Sequence, residues 1–430
     1  ITPSNLATFE RDVPTRGRIP YTRLSVHREL AKRVDFTARV IYSSATTHYT
    51  LFENATGIDL LGNNLLADTT NVTGNAKRPD AIGDGAITIY ATDKLTISDA
   101  FRVNSFRING GDIYNESIFT SLRGVPNPAQ FINTVAFQFI SEHLYQNTVE
   151  ASYDINSKLQ VHAGYRYTHR DIDLGNFTIP PGGGLQLDSP VDNNTNSGFF
   201  GFRFKPFHVW STYFDFERGS ADNVFTRIAN YDYTNVRVRT LIKPTKTLVI
   251  NASLITKDNN NPAIIEPPFT QPFGATISSR TFSTSVDWTP SSKFFVSGGY
   301  TYNHLDSNAS IIEFLNFAET LSSSLYFVRD HFFFVNSRVQ LAKRVSAFGA
   351  FRINKDLGQG DRVPTSAAEI LTSYPLRYSE PEARLTVNLN RHVDWNAGWQ
   401  YYGYAETVTP VRNFRVHLAY VSLTLRMNRE

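Results

Sequence analysis

The feature that most constrains the fold is a two-residue alternation of apolar and polar side chains. In HVDWNAGWQYYGYAE, residues 392–406, one set of alternate positions is apolar and aromatic, and the set between them is largely polar. A period of two is that of a β-strand with unlike faces, whereas a helix repeats about every 3.6 residues. The same alternation runs through LQVHAGYRYTHR (159–170), RVSAFGAFRIN (344–354) and PEARLTVNLN (381–390). It predicts a chain of long strands, each with one apolar face.

The connections between these strand candidates alternate between short and long. Tight polar turns are predicted at 29–33, 92–94, 156–158, 205–207, 243–246, 289–292, 342–344 and 390–392. Long segments rich in Asn, Asp, Gly, Pro and Ser separate the hairpins at 51–84, 109–136, 174–196, 258–278, 308–324 and 357–374. Short turns at one end and long loops at the other are typical of barrels that cross membranes. The sequence therefore predicts an all-β, transmembrane, antiparallel up-and-down β-barrel with short periplasmic turns and long extracellular loops.

The strand count gives a barrel of about 16–18 strands or more, from about seventeen candidates. Bacterial barrels usually have an even number, so we expect a further strand in TVAFQF (134–139) or in the first fifteen residues, unless part of the barrel is absent. Residues 1–430 are expected to form one domain, with residues 1–15 as an extended N-terminal segment or an additional strand. The competing architecture is a soluble propeller or sandwich. Sandwich strands run about 5 to 6 residues, and no propeller-type repeat of about 40 residues is present.

The amino-acid composition excludes several kinds of site and of protein. The 430 residues contain no cysteine, which excludes disulfides, thiolate metal sites and attached c-type haem, and suits an envelope location. A net charge of +3 does not indicate nucleic-acid binding. No stretch is apolar over the roughly 18 residues that a membrane helix needs. The chain begins ITPSNLATFE, without an initiating Met or a signal peptide, so we expect a processed or incomplete form.

Carrying the alternation along the chain assigns side chains to two environments. The apolar set predicts lipid contact, with lipid-facing aromatics at Trp395, Trp399, Tyr401, Tyr165, Tyr167 and Trp288. The opposite face predicts lumen-facing residues at Arg23, Arg39, Arg102, Arg166, Arg203, Arg237, Arg239, Arg338, Arg352, Arg384, Asp394 and Glu406. The functional interpretation is a pore with a weak preference for anions. The structural alternative, which we favour for any single arginine, is an ion pair that bridges neighbouring strands.

The last strand candidate changes the phase of its alternation. In RNFRVHLAYVSLTLRM its apolar side chains stand at even positions up to Tyr420 and at odd positions from Val421. A β-bulge near Tyr420 would restore one continuous lipid face. That interpretation places Arg415 and His417 in the lumen.

Catalytic and cofactor chemistry finds little support in the sequence. No GxSxG or HExxH arrangement is present, and the ten histidines form no metal-binding spacing. We therefore expect no enzyme, no metal and no cofactor on this chain. The strand candidates also leave no room for a separate plug domain, so a TonB-dependent transporter is not expected.

Three stretches carry a resemblance to a known family. SYDINSKLQVHAGYRYTHRD, DYTNVRVRTLIKPTKTLVINASLITKDNNNP and the carboxyl-terminal GWQYYGY…NFRVHLAYVSLTLR, within residues 145–427, resemble barrel subunits of bacterial outer-membrane porin–cytochrome complexes. The resemblance implies a barrel that binds no haem itself and sheathes a multihaem cytochrome. Some family members carry more strands than we count, and some carry an amino-terminal CxxC that this chain lacks.

Two functions therefore remain open for a bacterial outer-membrane protein in contact with lipid. The first is a porin-like barrel whose polar, arginine-leaning lumen passes small hydrophilic solutes. The second is a non-catalytic scaffold whose lumen holds a multihaem cytochrome for electron transfer across the membrane. The segment 51–84, with its LL pairs, is expected to fold inward and narrow a pore, or to dock a partner.

Overall fold

The protein is almost entirely β-sheet. The computed structural model describes residues 5–58, 63–122, 124–179, 185–187, 191–223, 230–265, 270–315, 318–358, 375–406 and 410–425. A 3₁₀ turn occupies Pro410–Arg412. Within these ranges no helix is both long enough and apolar enough to cross a membrane.

The described residues form 21 strands in two compact units. The first unit is residues 1–149 with 166–194, and the second is residues 150–165 with 195–430. The first unit holds β1 (Asn5–Asp12), β2 (Thr15–Arg18), β3 (Tyr21–Ala31), β4 (Val34–Ile58), β5 (Asn63–Tyr90), β6 (Leu95–Leu122), β7 (Val125–Pro126) and β10 (Leu185–Leu187). The second holds β12 (Trp210–Ala221), β13 (Asp232–Thr245), β14 (Leu248–Ile264), β15 (Phe273–Ser291), β16 (Phe294–Leu315), β17 (Ala318–Ala342), β18 (Val345–Asp356), β19 (Leu376–Asn390), β20 (Val393–Glu406) and β21 (Phe414–Leu425). Both units take residues from β8 (Gln130–Asn156), β9 (Leu159–Ile179) and β11 (Val191–Phe207).

Within each unit, strands that follow one another in sequence pair antiparallel. The pairing runs from β3 to β6 in the first unit and from β12 to β21 in the second. Two-residue turns close the hairpins at Phe207–Trp210, Thr245–Leu248, Ser291–Phe294 and Ala342–Val345, at or next to the predicted tight turns. The all-β, antiparallel up-and-down fold class predicted from the sequence is confirmed. The prediction of a single domain stays a prediction.

The amino-terminal residues form strands along β4. β1, β2 and β3 pair in turn with residues 58–52, 49–46 and 43–34 of β4, so together they make one interrupted strand. The interruptions fall at Pro14 and Pro20, which have no N–H to donate to the ladder. Their carbonyl oxygens still accept hydrogen bonds, from the backbone N–H of Thr50 at 3.2 Å and of Ser44 at 3.3 Å.

Several segments that we predicted as long loops are strand. β4 continues to Ile58 and β5 begins at Asn63, so most of 51–84 is paired sheet, which contradicts an inward-folded constriction there. β6 and β8 similarly take up much of 109–136, and β9, β10 and β11 take up much of 174–196. β14 to β17 take up much of 258–278 and 308–324. TVAFQF lies inside β8, as the strand count suggested. Most of 357–374 lies outside the described residues. Asn, Gly, Ser and Thr were mistaken for loop formers because both faces of these strand halves are polar.

The last strand pairs without the predicted bulge. β20 and β21 keep one continuous register from Val393 opposite Leu425 to Tyr404 opposite Phe414. His417 is therefore opposite Tyr401, on the face that carries Trp399, and not on the face of Asp394. The physical reason is space on the other face, because Gly398 has no side chain and the ring of Tyr420 lies over it. Phe414 likewise stacks on Tyr404, with ring centroids 5.5 Å apart.

The described residues of the two units do not form the buried apolar core that is typical of a soluble protein. Among the described residues, the hydrophobic residues that are buried are Ala55, Ile172, Ala221, Tyr233, Ala275 and Ala350, and no large side chain is fully buried. Large apolar side chains are instead exposed along the strands, including Phe282, Val286, Trp288, Phe333 and Trp399. A contiguous exposed apolar surface of this kind needs a non-aqueous neighbour.

That apolar surface is a band of limited height in the second unit. On β14 it runs from Leu248 at the turn to Leu254, and Thr256 and Asp258 follow on the same face. From the turn to Asp258 the strand covers eleven residues, and a tilted strand needs about 9–11 to cross a bilayer. The apolar band takes up the first seven of them. A row of polar and charged side chains ends it, made of Arg218, Asp232, Asp258, Arg280, His304, Asp306 and Arg329. We call these seven residues the boundary row.

The boundary row is held together by ion pairs. Arg218 lies 2.8 Å from Asp232, and Arg280 lies 2.9 Å from Asp258. Asp306 accepts from Arg329 at 2.6 Å and contacts His304 at 2.8 Å. The apolar band therefore lies between the short turns on one side and the ion-paired boundary row on the other.

Candidate functional site

The strand register of the second unit places the charged residues that were predicted to face a lumen on one side of the sheet. Directly opposed residues of antiparallel strands point to the same face, so the register carries one face from β12 to β20. We call the face that carries Asp215, Arg237, Arg352, Arg384 and Asp394 the polar face. The opposite face carries the apolar band, and we call it the aromatic face.

At one end of the polar face a carboxylate joins neighbouring strands. Asp215 lies 3.1 Å from Nε2 of His162 and directly opposite Arg237. The guanidinium of Arg203 lies over the ring of Tyr213, 5.4 Å from its centroid. These contacts tie β9, β11, β12 and β13 together by their polar side chains, which agrees with the structural interpretation of the arginines.

Further along the polar face, acidic residues are also paired. Nη1 of Arg352 lies 2.8 Å from Glu380, and Nη2 lies 4.0 Å from Glu382. Asp394 is buried and accepts a hydrogen bond from Nδ2 of Asn388 at 2.5 Å. Glu406 is buried and accepts from the hydroxyl of Tyr404 at 3.1 Å.

A first concavity lies on the polar face and is lined by residues of the adjacent strands β12 to β17. It holds about 560 Å³ and is lined by charged, hydroxyl and aromatic groups, among them Tyr213, Asp215, Arg239, Ser253, Ser283 and Phe334. Arg239 is opposite Tyr213 on one side and Ser253 on the other, which brings its side chain to this concavity. The lining is mixed in charge and rich in hydroxyls, so it suits hydrated polar solutes.

A second concavity, of about 850 Å³, lies on the polar face at the short-turn ends of β16 to β20. Its charged lining consists of Arg338, Arg344, Arg384, Arg391 and Asp394. We call it the arginine concavity. The sequence alternation predicted Arg338, Arg384 and Asp394, but it missed Arg344 and Arg391, because both lie in turns, where alternation stops.

Arginines of the first unit follow the same alternation. Arg39 is opposite Asp84 on β5, and Arg102 on β6 is opposite the same aspartate. Arg23 donates from Nε to Ser25 at 3.4 Å, and Ser25 is opposite Arg39. Arg166 is half-buried between exposed Tyr165 and Tyr167 on β9. The predicted lumen residues Arg23, Arg39 and Arg102 therefore share a face, while the lumen itself stays a prediction.

The predicted lipid-facing aromatics lie on the alternate positions. Trp395, Trp399 and Tyr401 share the aromatic face of β20, and Trp288 lies on that face of β15. Tyr165, Tyr167, Trp288 and Trp399 are each 39% or more exposed. The hydroxyl of Tyr167 donates to Asn194 at 2.7 Å, and that of Tyr165 donates to Asn196. Sequence reasoning missed the boundary row, although its signal was present as charged residues that enter an otherwise apolar alternation.

Far from the short turns, the first unit carries a group of acidic side chains. Burial, and then the neighbouring carboxylate of Glu116, raise the pKa of Asp68 above its ordinary value. Burial, followed by the hydrogen bond to Glu116, likewise raises the pKa of Tyr114, whose hydroxyl lies 2.8 Å from that carboxylate. In the second unit, hydrogen bonds from the hydroxyl and backbone N–H of Thr270 lower the pKa of Glu319.

No metal centre can be assembled from the described residues, where no three His, Asp or Glu side chains cluster suitably. The His304–Asp306 and His162–Asp215 pairs each supply two potential ligands only. The predictions of no enzyme activity and no cofactor stay predictions.

The chain is similar to solved structures of two receptors and a peptide importer, at low identity. It is 11% identical to the siderophore receptor PiuA from Acinetobacter baumannii, with a TM-score of 0.47, over 99% of this chain and 81% of that one. It is also 11% identical to the ferric-catecholate import receptor Fiu from E. coli K12, with a TM-score of 0.47, over 99% of this chain and 82% of that one. It is 9% identical to the RagAB peptide importer in its open-open state, with a TM-score of 0.49, over 89% of this chain and 60% of that one. No protein-family model matches the chain, and no curated protein sequence matches it.

These similarities are too distant to carry an inference about what this chain binds. The solved structures named are receptors and an importer, and the resemblance to porin–cytochrome barrels stays a prediction. The expectation that the chain has no plug domain is likewise untested.

Proposed function

We propose that the protein is a bacterial outer-membrane β-barrel that transports small hydrophilic solutes through a polar lumen. The observation that carries the proposal is that one sheet has an apolar face and a polar face. The aromatic face exposes an apolar band that covers seven residues of β14, and the polar face behind it carries ion pairs and hydroxyl-lined concavities. The lack of a buried core among the described residues disfavours a soluble sandwich, because a sandwich places its apolar faces against each other.

The finer proposal is passive, porin-like passage with a lean toward anions. Part of the arginine charge on the polar face is neutralised, as in the Arg352 pairs with Glu380 and Glu382. The charge left over is concentrated in the arginine concavity. Charge that lines a pore sets the sign of the ion that passes, so the expected anion preference is modest.

Single-channel recording in planar bilayers tests the proposal. The purified, folded chain is expected to open stable channels, with a salt-gradient reversal potential on the anion side. The heat-denatured protein, at the same detergent concentration, is the control for leakage. A folded, heat-modifiable barrel that gives no conductance would contradict passive passage. In that case the scaffold for a multihaem cytochrome becomes the function to test, by looking for haem absorbance in the protein purified from its native membrane.

A further inference from the structure

The arginine concavity is the place on the polar face where positive charge is not balanced. Arg338, Arg344 and Arg384 form no ion pair with any described residue. Arg352, four residues along β18 from the residue opposite Arg338 and Arg384, is paired with two glutamates. Arg391 donates from Nε to His392, not to a carboxylate. The single acid in the lining is Asp394, which is 5% exposed and accepts from Asn388. The lining therefore carries four cationic groups against one carboxylate.

Arg384 is held in place by an aromatic neighbour and not by a counter-charge. Phe348 on β18 is directly opposite Arg338 on β17 and Arg384 on β19. The guanidinium of Arg384 lies over the Phe348 ring, 4.9 Å from its centroid. Stacking of this kind fixes the plane of a guanidinium and leaves its N–H groups available for a ligand.

Neutral hydrogen-bonding groups complete the lining. Ser346, Thr386 and Asn396 lie opposite one another on β18, β19 and β20, and Asn388 and Asn390 follow toward the turn. Hydroxyls and amides donate to anionic oxygens without adding charge. The volume of about 850 Å³ is much larger than one inorganic anion needs, so it suits a small organic molecule.

We propose that the arginine concavity binds a small solute that carries more than one phosphate group. Guanidinium groups match phosphate oxygens in geometry, because two parallel N–H groups reach two oxygens. Four arginines around one space favour a ligand with several negative charges over a chloride or a monocarboxylate. The inference deepens the proposed transport function by naming the solute class, and it rests on that function only for the route of entry.

Isothermal titration of the full-length protein in detergent, with sodium pyrophosphate as the probe, tests the site apart from transport. The wild type is expected to bind pyrophosphate saturably, to bind inorganic phosphate more weakly, and to lose affinity as NaCl is raised. R338Q and R384Q are each expected to weaken binding at least tenfold. R352Q is the matched control, since it removes one arginine from the same face outside the concavity, and it should retain the wild-type affinity. Circular dichroism and heat-modifiable migration verify that each variant is folded.

The outcomes separate this inference from the proposed function. No saturable binding by a folded wild type overturns the site, even where the protein conducts ions. Equal weakening by R352Q also overturns it, because attraction by the general field of the polar face would then explain the binding. Saturable binding without conductance would support the site and contradict passive passage.

Discussion

Arg39 and Asp84 are directly opposite each other on β4 and β5, and Nε of the arginine reaches both carboxylate oxygens, at 3.0 and 3.2 Å. Nη2 of Arg39 also contacts Oδ1 of Asp84. On the far side, Asp84 is opposite Arg102. One carboxylate therefore separates two cationic groups on three adjacent strands.

We expect Asp84→Asn to destabilise the protein and to strengthen its anion preference. The substitution leaves Arg39 and Arg102 facing each other across a neutral amide, and like charges on neighbouring strands repel. The midpoint of urea unfolding should fall, and the reversal potential should move further to the anion side. Asp93→Asn, in the exposed turn pair with Arg33, is the control and should change neither quantity. An unchanged midpoint for Asp84→Asn would show that the Arg39–Asp84 ion pair contributes nothing to stability.

The apolar band predicts a sharp difference between two neighbouring positions on β15. Val286 lies on the aromatic face opposite Ile250, in the middle of the apolar band, and Ser285 lies on the polar face in the first concavity. A lipid-exposed Arg costs about 2–4 kcal/mol near the bilayer centre, whereas a lumen position is tolerant. Val286→Arg should therefore lower the free energy of unfolding in phospholipid vesicles by roughly that amount, and Ser285→Arg should not. Equal effects of the two variants would argue against lipid contact at Val286.

Gly398 is expected to be intolerant of a methyl group. A Cβ at this position would collide with the ring of Tyr420 on β21, and overpacking of this kind costs about 1–3 kcal/mol. Gly398→Ala should lower the unfolding midpoint, and the added substitution Tyr420→Ala should recover much of the loss. Gly83→Ala is the matched control, because no heavy atom lies within 4 Å of its Cβ position. Should Gly398→Ala match Gly83→Ala in stability, the packing argument fails.

The raised pKa of Asp68 predicts a local dependence of stability on pH. The folded sheet holds the proton of Asp68 more tightly than the unfolded chain does, because of burial and Glu116. The stabilising contribution is therefore complete below the ordinary aspartate pKa, and it is lost as pH rises from that value through the raised one. Amide exchange in β5 and β6 around Asp68 and Glu116, corrected for intrinsic rates, should become less protected over that interval.

Asp68→Asn is the variant that checks the assignment. It removes the titrating group, so protection around residue 68 should become nearly independent of pH and exceed that of the wild type at neutral pH. The same substitution type at the exposed Glu10, Glu10→Gln, serves as the comparison. A pH dependence that survives Asp68→Asn would assign the effect to another group.

Sequence periodicity predicted the faces of the strands well and their ends poorly. Alternation placed Arg237, Arg352 and Trp399 on the sides that the register gives, because the pleat forces residues two apart onto one face. It gave no correct end for β4 or β5, since both faces become polar beyond the apolar band and the Asn- and Gly-rich composition then mimics a loop.

The arginine concavity was predictable only in part, because alternation gives no information about residues in turns. Arg338 and Arg384 stand in alternating stretches, but Arg344 and Arg391 stand in turns and join them only through the pairing of four strands. The unbroken register at Tyr420 was also hidden, because the space that permits it comes from Gly398 on a different strand.

The length of the strands has a consequence for how the molecule meets proteases. β5 and β6 each contain 28 residues, whereas about 9–11 residues suffice to cross a bilayer. The remainder is paired edge to edge with its neighbours, so its backbone amides and carbonyls are already engaged. A protease must bind its substrate as an extended, unpaired segment, and a hydrogen-bonded ladder offers none. Trypsin applied to whole cells should consequently leave the bond after Lys77 uncut, although this residue belongs to a polar stretch whose composition alone would predict an easily cleaved loop.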